Sequence, residues 1–542
     1  MKHLLTALIV IAFASCTREH SDLKKVAIIP KPVSVEAMGS FFELTNESTI
    51  YIDRRFPDQT GVQQACEQLA SRLRAASGFQ IEIKWTDEVP PAGNIFIEYP
   101  IRSKAPFRKE EYELVIGSEL IHINAEEPDG VFYAFQTLRQ LFPPQVEGDN
   151  VQSTPWKIAT GVIRDYPKYA WRGSMLDVAR HFFSVDDVKR YIDLISAYKM
   201  NVLHLHLSDD QGWRIEIKSW PNLTSHGGST AVGGGTGGFY TQEQYKEIVA
   251  YAQSRFVTIV PEIDLPGHIN SALASYGELN GGTIVPAEGA VKITEEPILG
   301  EKNKPTPLYT GIEVGWSTLR FEKESTFRFV GDVIRELSAI TPGPYFHIGG
   351  DEAAATKKDD YIKFINRFRE IVTANHKIMV GWEEIAQGNI DSAVVTQYWN
   401  QEKYALLAID KKSRLVMSPA KKAYLDMSYD STSRLGLHWA AFIEVDAAYN
   451  WNPTTFLRNI SDENMIGVEA PLWSETISTM DQIEYMAFPR LPGYAEIAWS
   501  PEENRNWNEY RLRLATHGKR MEEMRIDFYR SPKVPWDSVV MR

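Results

Sequence analysis

The sequence predicts an α/β protein with a (β/α)8 TIM barrel preceded by a small α+β domain. Two observations predict the barrel. After Trp171, short apolar runs typical of buried parallel strands alternate with helical segments. Eight such runs follow one another, which is the number that closes a barrel of this type. The length of 542 residues also exceeds what one ordinary core accommodates, which leaves room for a second domain.

The barrel is predicted to span residues 162–510. Two of its helices are predicted to begin at capping boxes, Ser184–Asp187 and Thr241–Gln244, in which the first and fourth residues satisfy each other's backbone groups. Residues 511–542 are predicted as a helical extension that closes the barrel. The eight predicted strands are Gly173–Val178, Val202–Leu207, Val257–Ile263, Tyr345–Ile348, Ile378–Gly381, Ala393–Tyr398, Arg414–Met417 and Met465–Val468.

Residues 26–161 are predicted as the small α+β domain, because short apolar runs are mixed there with two amphipathic helical segments. This pattern differs from the regular alternation that follows Trp171. The predicted strands are Val26–Ile29, Tyr112–Ile116 and Leu120–Ile123, and the predicted helices are Gln63–Ala76 and Asp129–Phe142.

The N-terminus has the pattern of an export signal. Met1–His3 is positively charged, and the following Leu4–Phe13 is mostly apolar but too short to span a bilayer. The small residues before Cys16 resemble a bacterial lipobox, in which the cysteine is acylated and becomes the mature N-terminus; the alternative is an ordinary signal peptide cut nearby. We therefore expect a signal peptide over residues 1–16, a polar tether over residues 17–25, and a periplasmic or outer-membrane-anchored bacterial lipoprotein that meets the membrane only through this anchor.

Charge and motif content exclude several classes of partner and cofactor. The net charge of −13 argues against nucleic acid, because polyanionic partners need basic patches. No cofactor and no metal are expected. His204 and His206 alternate on one strand face, but they lie in mid-strand, where packing is the expected role. The sequence also lacks the Gly-x-Ser-x-Gly elbow of serine hydrolases.

Polar and aromatic side chains follow all eight predicted barrel strands, at the end where barrel enzymes carry their chemistry. Carboxylates and arginine can bind sugar hydroxyls through directional hydrogen bonds, and tryptophan faces pack on sugar rings. The combination therefore indicates a carbohydrate site. The candidate residues are Arg180, Asp209, Asp264, His268, Asp351, Glu352, Trp382, Trp399, Tyr424, Asp426, Trp473 and Glu475.

The adjacent acids Asp351 and Glu352 follow the fourth predicted strand and come directly after Gly349 and Gly350. Repulsion between neighbouring carboxylates raises at least one pKa, so that one group can donate a proton near neutral pH. The alternative is a pair of loop acids, one solvated and one capping a helix. The preceding strand and the two glycines favour the functional interpretation.

Together, these strand-end motifs resemble glycoside hydrolase family 20. The matching segments are Leu176–Phe182, His204–Trp213, Pro261–His268, His347–Glu352, Gly381–Trp382, Gln397–Trp399, Tyr424–Asp426 and Leu472–Glu475, with Ile29–Pro32 and Gly130–Leu141 in the first domain. The resemblance covers the chain from about residue 26 onward. It implies an exo-acting β-N-acetylhexosaminidase that hydrolyses terminal N-acetylglucosamine or N-acetylgalactosamine from glycans with retention of configuration.

The resemblance also implies a role for each site residue. In this family the 2-acetamido oxygen of the substrate is the nucleophile, outside the usual two-carboxylate scheme. Glu352 would be the general acid and base, Asp351 would orient the acetamido group, and Tyr424 would donate a hydrogen bond to its oxygen. The remaining implied roles are acetamido pocket walls for Trp382, Trp399 and Trp473, hydroxyl binding for Arg180, Asp209, Asp426 and Glu475, a supporting pair near the acid and the substrate for Asp264 and His268, and a rim position for Trp439.

Alternatives to these roles stay open. Trp382 and Trp399 suit ordinary barrel packing, Asp426 suits a turn, and His268 suits a structural role. One departure from the family pattern is Glu469, where an uncharged amide is expected.

Two alternatives to the proposed activity also stay open. One is a surface glycan-binding lipoprotein without turnover, and the other is a family member that releases disaccharides. The intact Asp351, Glu352 and Tyr424 favour an enzyme, because binding alone does not require a proton donor beside a charge-stabilising carboxylate.

Overall fold

The computed structural model describes residues 22–100, 107–286 and 300–537. The predicted signal peptide and Cys16 lie outside these residues, so the acylation stays a prediction, which palmitate labelling of the expressed chain would test. Within the described ranges, no helix is both long and apolar enough to cross a bilayer. The chain forms an N-terminal domain around a seven-stranded sheet, followed by a closed eight-stranded barrel.

Strands β1–β7 form the N-terminal sheet and β8–β15 form the barrel. In chain order, β1–β7 are Ser34–Glu43, Thr49–Asp53, Glu82–Thr86, Asn94–Glu98, Tyr112–Ile116, Leu120–Ala125 and Lys157–Asp165. In chain order, β8–β15 are Trp171–Asp177, Val202–His206, Thr258–Glu262, Tyr345–His347, Ile378–Trp382, Val395–Tyr398, Arg414–Met417 and Met465–Leu472.

The described α-helices are numbered α1–α15 in chain order. They are Gln59–Ser77, Pro128–Leu141, Val185–Ala197, Asn222–Ser225, Gln242–Ser254, Asn270–Ser275, Glu324–Ala339, Lys358–Ala374, Glu402–Asp410, Ala420–Ala423, Val445–Tyr449, Pro453–Phe456, Met480–Ala487, Leu491–Trp499 and Trp507–Glu523.

The N-terminal sheet has the strand order β1-β7-β5-β6-β4-β2-β3. It is antiparallel from β1 to β6 and parallel from β6 to β3. The two predicted helices are present as α1 and α2, which bury their apolar faces in the core of this domain. Helix α1 begins where Asp58 accepts a hydrogen bond from the Gly61 N–H, and it ends at Gly78, whose φ of 73° suits glycine.

The predicted strand Val26–Ile29 is wrong. No sheet strand covers it; the Ile29 N–H donates to Gln140 Oε1 at 2.8 Å, and Gln140 Nε2 donates to the Ile29 carbonyl at 2.7 Å. A side chain from α2 therefore replaces the neighbouring strand. Residues 17–25 were predicted to be a polar tether, but Leu23–Lys25 at the end of this range forms a 3-10 turn in which Leu23 is buried.

The barrel is confirmed with all eight predicted strands, in the closed parallel order β10-β11-β12-β13-β14-β15-β8-β9. The main differences lie at strand ends. Strand β15 continues beyond Val468 to Leu472, because its residues as far as Leu472 pair with β8 as far as Leu176. Both predicted capping boxes are present: Ser184 and Asp187 start α3, and Thr241 and Gln244 start α5.

Buried ion pairs join the two domains. Lys199 Nζ lies 2.8 Å from Asp165 Oδ2, and neither side chain is exposed. Helix α15 begins before the predicted boundary at residue 511. Its Arg513 donates to the Ile28 carbonyl and its Arg520 donates to the Phe142 carbonyl, so α15 fastens the first domain to the barrel.

Candidate active site

A cavity of about 450 Å³ opens at the carboxyl ends of the barrel strands, within the size range of small-molecule sites. Its lining residues are Arg180, His268, Ile312, Val314, Asp351, Glu352, Trp399, Tyr424, Asp426, Leu437, Trp439, Trp473 and Glu475. The predicted site residues meet here, apart from Asp209, Asp264 and Trp382, which lie behind the lining.

The structure differs from the predicted hydroxyl-binding role of Asp209. Its Oδ2 lies 2.9 Å from Arg180 Nη2 and 2.9 Å from His206 Nε2, and its Oδ1 lies 3.2 Å from His268 Nδ1. Both oxygens are therefore occupied by protein groups. Burial would raise the pKa of Asp209, but the charges of Arg180 and His268 outweigh it and lower the pKa. Asp209 is an ionised group that positions Arg180 and His268.

Trp382 was predicted to wall the acetamido pocket, but the structure places it one layer behind the cavity. Its side chain is completely buried and its ring centroid lies 5.8 Å from that of Trp473, which does line the cavity. The indole Nε1 donates to Glu262 Oε1 at 3.0 Å. Trp382 therefore supports the pocket wall.

Backbone geometry at the end of β11 explains the two glycines before Asp351. The φ values of Gly349 and Gly350 are 66° and 99°, in the left-handed region. A Cβ atom on Gly349 would lie 1.7 Å from Asp264 Oδ1, so no other residue fits there. Glu352 is also left-handed, with a φ of 43°, and strained non-glycine backbone of this kind concentrates at functional sites.

The two adjacent acids occupy different environments. The Asp351 side chain is 10% exposed, whereas that of Glu352 is 35% exposed. Burial raises the pKa of Asp351 to about 6, and the charge of Glu352 adds to this effect while His268 opposes it. The buried carboxylate of Asp351 suits a group that orients the substrate, and the more accessible carboxyl group of Glu352 suits a proton donor.

His268 links the acids to the layer below. Its Nδ1 faces Asp209, and its Nε2 lies 3.5 Å from Glu352 Oε2 and 3.8 Å from Asp351 Oδ2. The predicted Asp264–His268 pair is part of a larger cluster, because Asp209, Asp264 and His268 bring ligand atoms within 4.8 Å of one another. Asp264 also accepts a hydrogen bond from the Gly350 N–H at 3.0 Å.

In the part of the chain that the structure describes, four overlapping groups of histidines and acids have metal-like spacing, and one consists entirely of cavity residues: His268, Asp351 and Glu352. Both nitrogens of His268 face carboxylates. Burial would lower the pKa of His268, but Asp209 and Asp264 outweigh burial and raise it well above its usual value. A protonated imidazole has no lone pair for a metal, so the set suits proton transfer.

Aromatic rings enclose the side of the cavity next to Asp351. Trp399, Tyr424 and Trp473 are each less than 10% exposed, whereas Trp439 is 55% exposed at the rim. The Tyr424 ring centroid lies 6.1 Å from that of Trp439 and 6.3 Å from that of Trp473. The Trp399 indole is held from behind by Glu384, whose Oε2 accepts its N–H at 3.2 Å. This chamber suits a small group with an apolar end and a polar amide.

Charged side chains provide free hydrogen-bonding atoms inside the cavity. The residues that line the cavity include buried side-chain atoms without a hydrogen-bond partner, among them Arg180 Nη1, Asp351 Oδ1, Asp426 Oδ1 and Glu475 Oε2. Burial raises the pKa of Asp426, and the charge of Glu475 adds to this shift. Buried polar atoms are normally satisfied, so these four are available to a polar ligand such as a sugar.

Sequence reasoning missed three residues of the cavity lining. Ile312 and Val314 come from the long connection between β10 and β11, and Leu437 follows the Asp426 turn. Isolated apolar residues in irregular segments show no periodicity and match no chemical motif, so the sequence carries no signal for them.

The fold and the cavity define the class of this protein. A (β/α)8 barrel whose strand ends bring together an acid pair, aromatic walls and unsatisfied polar groups is a glycoside hydrolase with a site for a sugar residue.

Comparison with known proteins identifies the family. The model of the glycosyl hydrolase family 20 catalytic domain matches residues 169–502, and that of domain 2 of the same family matches residues 25–166. The chain belongs to glycosyl hydrolase family 20.

Individual relatives agree with this assignment. A β-N-acetylhexosaminidase from Cellulomonas fimi is 38% identical over 515 residues, which cover 94% of this chain and 97% of the relative. The structure of the family 20 β-N-acetylhexosaminidase from Streptomyces coelicolor A3(2) superimposes with a TM-score of 0.87 at 44% identity, covering 96% of this chain and 100% of that one. The N-acetyl-β-hexosaminidase of Streptomyces plicatus in complex with Thio-NAglucal gives a TM-score of 0.86 at 45% identity, covering 94% and 98% of the two chains.

Proposed function

We propose that this enzyme removes single terminal N-acetylhexosamine residues from the non-reducing ends of glycans, with the acetamido group of the substrate as the nucleophile. The observation that carries the proposal is Asp351 Oδ1, a buried acceptor without a partner among the described residues, beside the aromatic chamber. An acetamido N–H is the donor this acceptor lacks, and the acetamido methyl matches the apolar walls. A Streptomyces plicatus relative has been solved in complex with the product GlcNAc.

In the first step, the acetamido oxygen attacks the anomeric carbon as the glycosidic bond breaks. Glu352 protonates the leaving oxygen, and the product is a cyclic oxazolinium ion. Asp351 accepts the acetamido N–H and stabilises the positive charge that develops on nitrogen. Tyr424 donates its hydroxyl to the acetamido oxygen, which aligns that oxygen with the anomeric carbon.

In the second step, Glu352 acts as a carboxylate and removes a proton from water. The water oxygen attacks the anomeric carbon, the bond from that carbon to the acetamido oxygen breaks, and the acetamido group is restored. Each step inverts the anomeric centre, so the overall configuration is retained. Glu352 regains the proton that it lost, which closes the cycle.

The free atoms of Arg180, Asp426 and Glu475 account for recognition of the ring hydroxyls. Arg180 lies with its guanidinium carbon 4.9 Å from the Trp473 ring centroid, and its Nη2 is held by Asp209. These groups are fixed by buried partners and are therefore preorganised. The exposed Trp439 at the rim is placed to pack against the sugar that leaves.

Hydrolysis of the β-1,4-linked tetramer of N-acetylglucosamine tests this proposal against its alternatives. We expect the monosaccharide and the trisaccharide to appear first in equal amounts, because the cavity accommodates one terminal residue. Product chromatography at early times provides the measurement, with the Glu352→Gln variant as the inactive control. Disaccharide as the only early product would indicate the disaccharide-releasing specificity, and binding without cleavage would indicate a glycan-binding protein.

A further inference from the structure

A line of alternating carboxylates and imidazoles fills the barrel interior below the cavity. Glu469 Oε1 lies 2.8 Å from His204 Nδ1, and His204 Nε2 lies 3.0 Å from Glu262 Oε2. Glu262 Oε2 lies 2.5 Å from His206 Nδ1, and His206 Nε2 lies 2.9 Å from Asp209 Oδ2. All five side chains are at most 1% exposed. We call Glu469, His204, Glu262 and His206 the interior relay.

Strand geometry brings these groups together. His204 and His206 are two residues apart on β9, so both point into the barrel. Glu262 pairs with His206 across β9 and β10 and with His347 across β10 and β11. The interior of such barrels is usually filled by branched apolar residues, and buried charges are destabilising unless they are paired. Packing alone therefore does not account for a row of ionisable groups at this place.

The relay continues into the active site on two sides. On one side, Asp209 contacts His268, and His268 faces Glu352 at 3.5 Å. On the other side, Glu262 Oε1 accepts the Trp382 indole N–H at 3.0 Å, directly behind the cavity wall. Glu262 is thus the junction between the acid–base side and the aromatic side of the site, and it does not line the cavity itself.

We propose that Glu262 is a positioning residue for hydrolysis, which acts through His206 and Asp209 on His268 and through Trp382 on the pocket wall. This proposal rests on the roles assigned above to Glu352 and Asp351. The closing experiment therefore includes a variant that tests those roles separately.

The protonation pattern follows from the geometry. Both nitrogens of His206 face carboxylates, so both carry protons, and the Nε2 proton is directed at Asp209. Burial would lower the pKa of His206, but Glu262 outweighs burial and raises it well above its usual value. The charged His206 keeps Asp209 ionised, and ionised Asp209 holds the Nδ1 proton of His268. The His268 Nε2–H is then aimed at the acid pair.

The charge of Glu262 also reaches Asp351 directly, because it raises the pKa of that carboxyl group. Among the described residues, the titratable groups that interact with Asp351 are Glu262, Asp264, His268, Glu352, Tyr361, Glu383, Glu384 and Tyr424.

Glu262→Gln tests the proposal, because glutamine keeps the size of the side chain and removes its charge. We expect kcat on an aryl β-N-acetylglucosaminide to fall about tenfold, as is typical when a residue behind a site is changed. KM should change less than kcat, because no contact to the substrate is removed. The acid limb of the kcat/KM profile should move to lower pH, since the charge that raises the pKa of Asp351 is gone.

Glu496→Gln is the matched control. Glu496 is also a completely buried glutamate, paired with Arg513 at 2.7 Å and hydrogen-bonded to Tyr449, but it lies at the domain junction. We expect this variant to lower the melting temperature and to leave kcat and the acid limb unchanged. Glu352→Gln is assayed in parallel; if it keeps wild-type kcat, the role of Glu352 fails whatever Glu262→Gln does.

The outcome is decided by kcat per folded molecule and by the pH profile, with folding checked by circular dichroism. A loss of less than about threefold in Glu262→Gln, or an acid limb that does not move, would overturn the proposal and leave Glu262 a structural residue. Should that variant not fold, His206→Gln tests the next member of the relay. For it we expect a similar loss in kcat with a smaller change in KM, and the absence of that loss, or a loss confined to KM, would overturn the proposal.

Discussion

Glu352→Gln is expected to lower kcat at least ~10²-fold on a substrate with a poor leaving group, with little change in KM. Glutamine is almost isosteric but can neither donate the proton that the leaving oxygen needs nor accept one from water. Glu352 is the more exposed of the two adjacent acids and lies 3.5 Å from His268 Nε2, so the substitution leaves the buried partners in place.

The measurement is kcat and kcat/KM for two β-N-acetylglucosaminides, an alkyl glycoside with an alkoxide leaving group and a dinitrophenyl glycoside. Dinitrophenolate leaves without protonation, so the loss in kcat/KM, which reports the first step, should be much smaller for it, and this substrate controls for misfolding. Equal losses in kcat/KM on both substrates would contradict a role of Glu352 as general acid, and so would a near-normal rate on the poor leaving group.

Asp351→Asn should lower kcat/KM by about 10²-fold or more, because removing a preorganised group that faces developing charge has an effect of this size. Asparagine still offers an oxygen to the acetamido N–H, so binding of N-acetylglucosamine should weaken less than the rate. The loss therefore measures mainly the stabilisation of positive charge on the acetamido nitrogen.

The same residue sets the acid limb of the pH profile. Burial raises the pKa of Asp351 to about 6, and the mechanism needs the ionised form. Wild-type kcat/KM should therefore fall as the pH drops below about 6 and Asp351 takes up a proton. The Asp351→Asn profile should lack this limb. A limb near pH 6 that persists in the variant would assign the titration to another group.

The barrel could be predicted because each of its strands is buried on both faces and forms a short apolar run between helical segments. The starts of α3 and α5 could also be predicted, because the two residues of each capping box lie only three positions apart in the sequence. The predicted strand Val26–Ile29 failed because its partner, Gln140, lies 111 residues away on a helix. Local pattern does not reveal such a long-range contact.

The site residues also divide into those that the local sequence predicts and those whose roles depend on long-range contacts. Asp351, Glu352 and Tyr424 could be placed because they follow strands and match a known pattern of chemistry. The role of Asp209 could not, because its oxygens are directed inward by Arg180 and His206, and only the folded structure shows which acids keep free atoms.

The charged residues inside the barrel also make contacts that the local sequence does not reveal. Glu469 stands where the family pattern has an uncharged amide, and it accepts hydrogen bonds from Trp171 and Gln397 and pairs with His204. His204 was expected to pack, and it is instead an ion-paired member of the relay. Alternation along β9 predicted that His204 points inward, but it did not reveal which carboxylates from other strands meet it.

The central claim is that the acetamido group of the substrate takes part in bond cleavage. The most direct test is the release of chromophore from an aryl β-N-acetylglucosaminide by the chain without residues 1–16, compared with the matching aryl β-glucoside, which has a hydroxyl in place of the acetamido group. We predict rapid turnover of the acetamido substrate and almost none of the glucoside. Comparable turnover of both substrates would contradict the neighbouring-group mechanism and the role of Asp351.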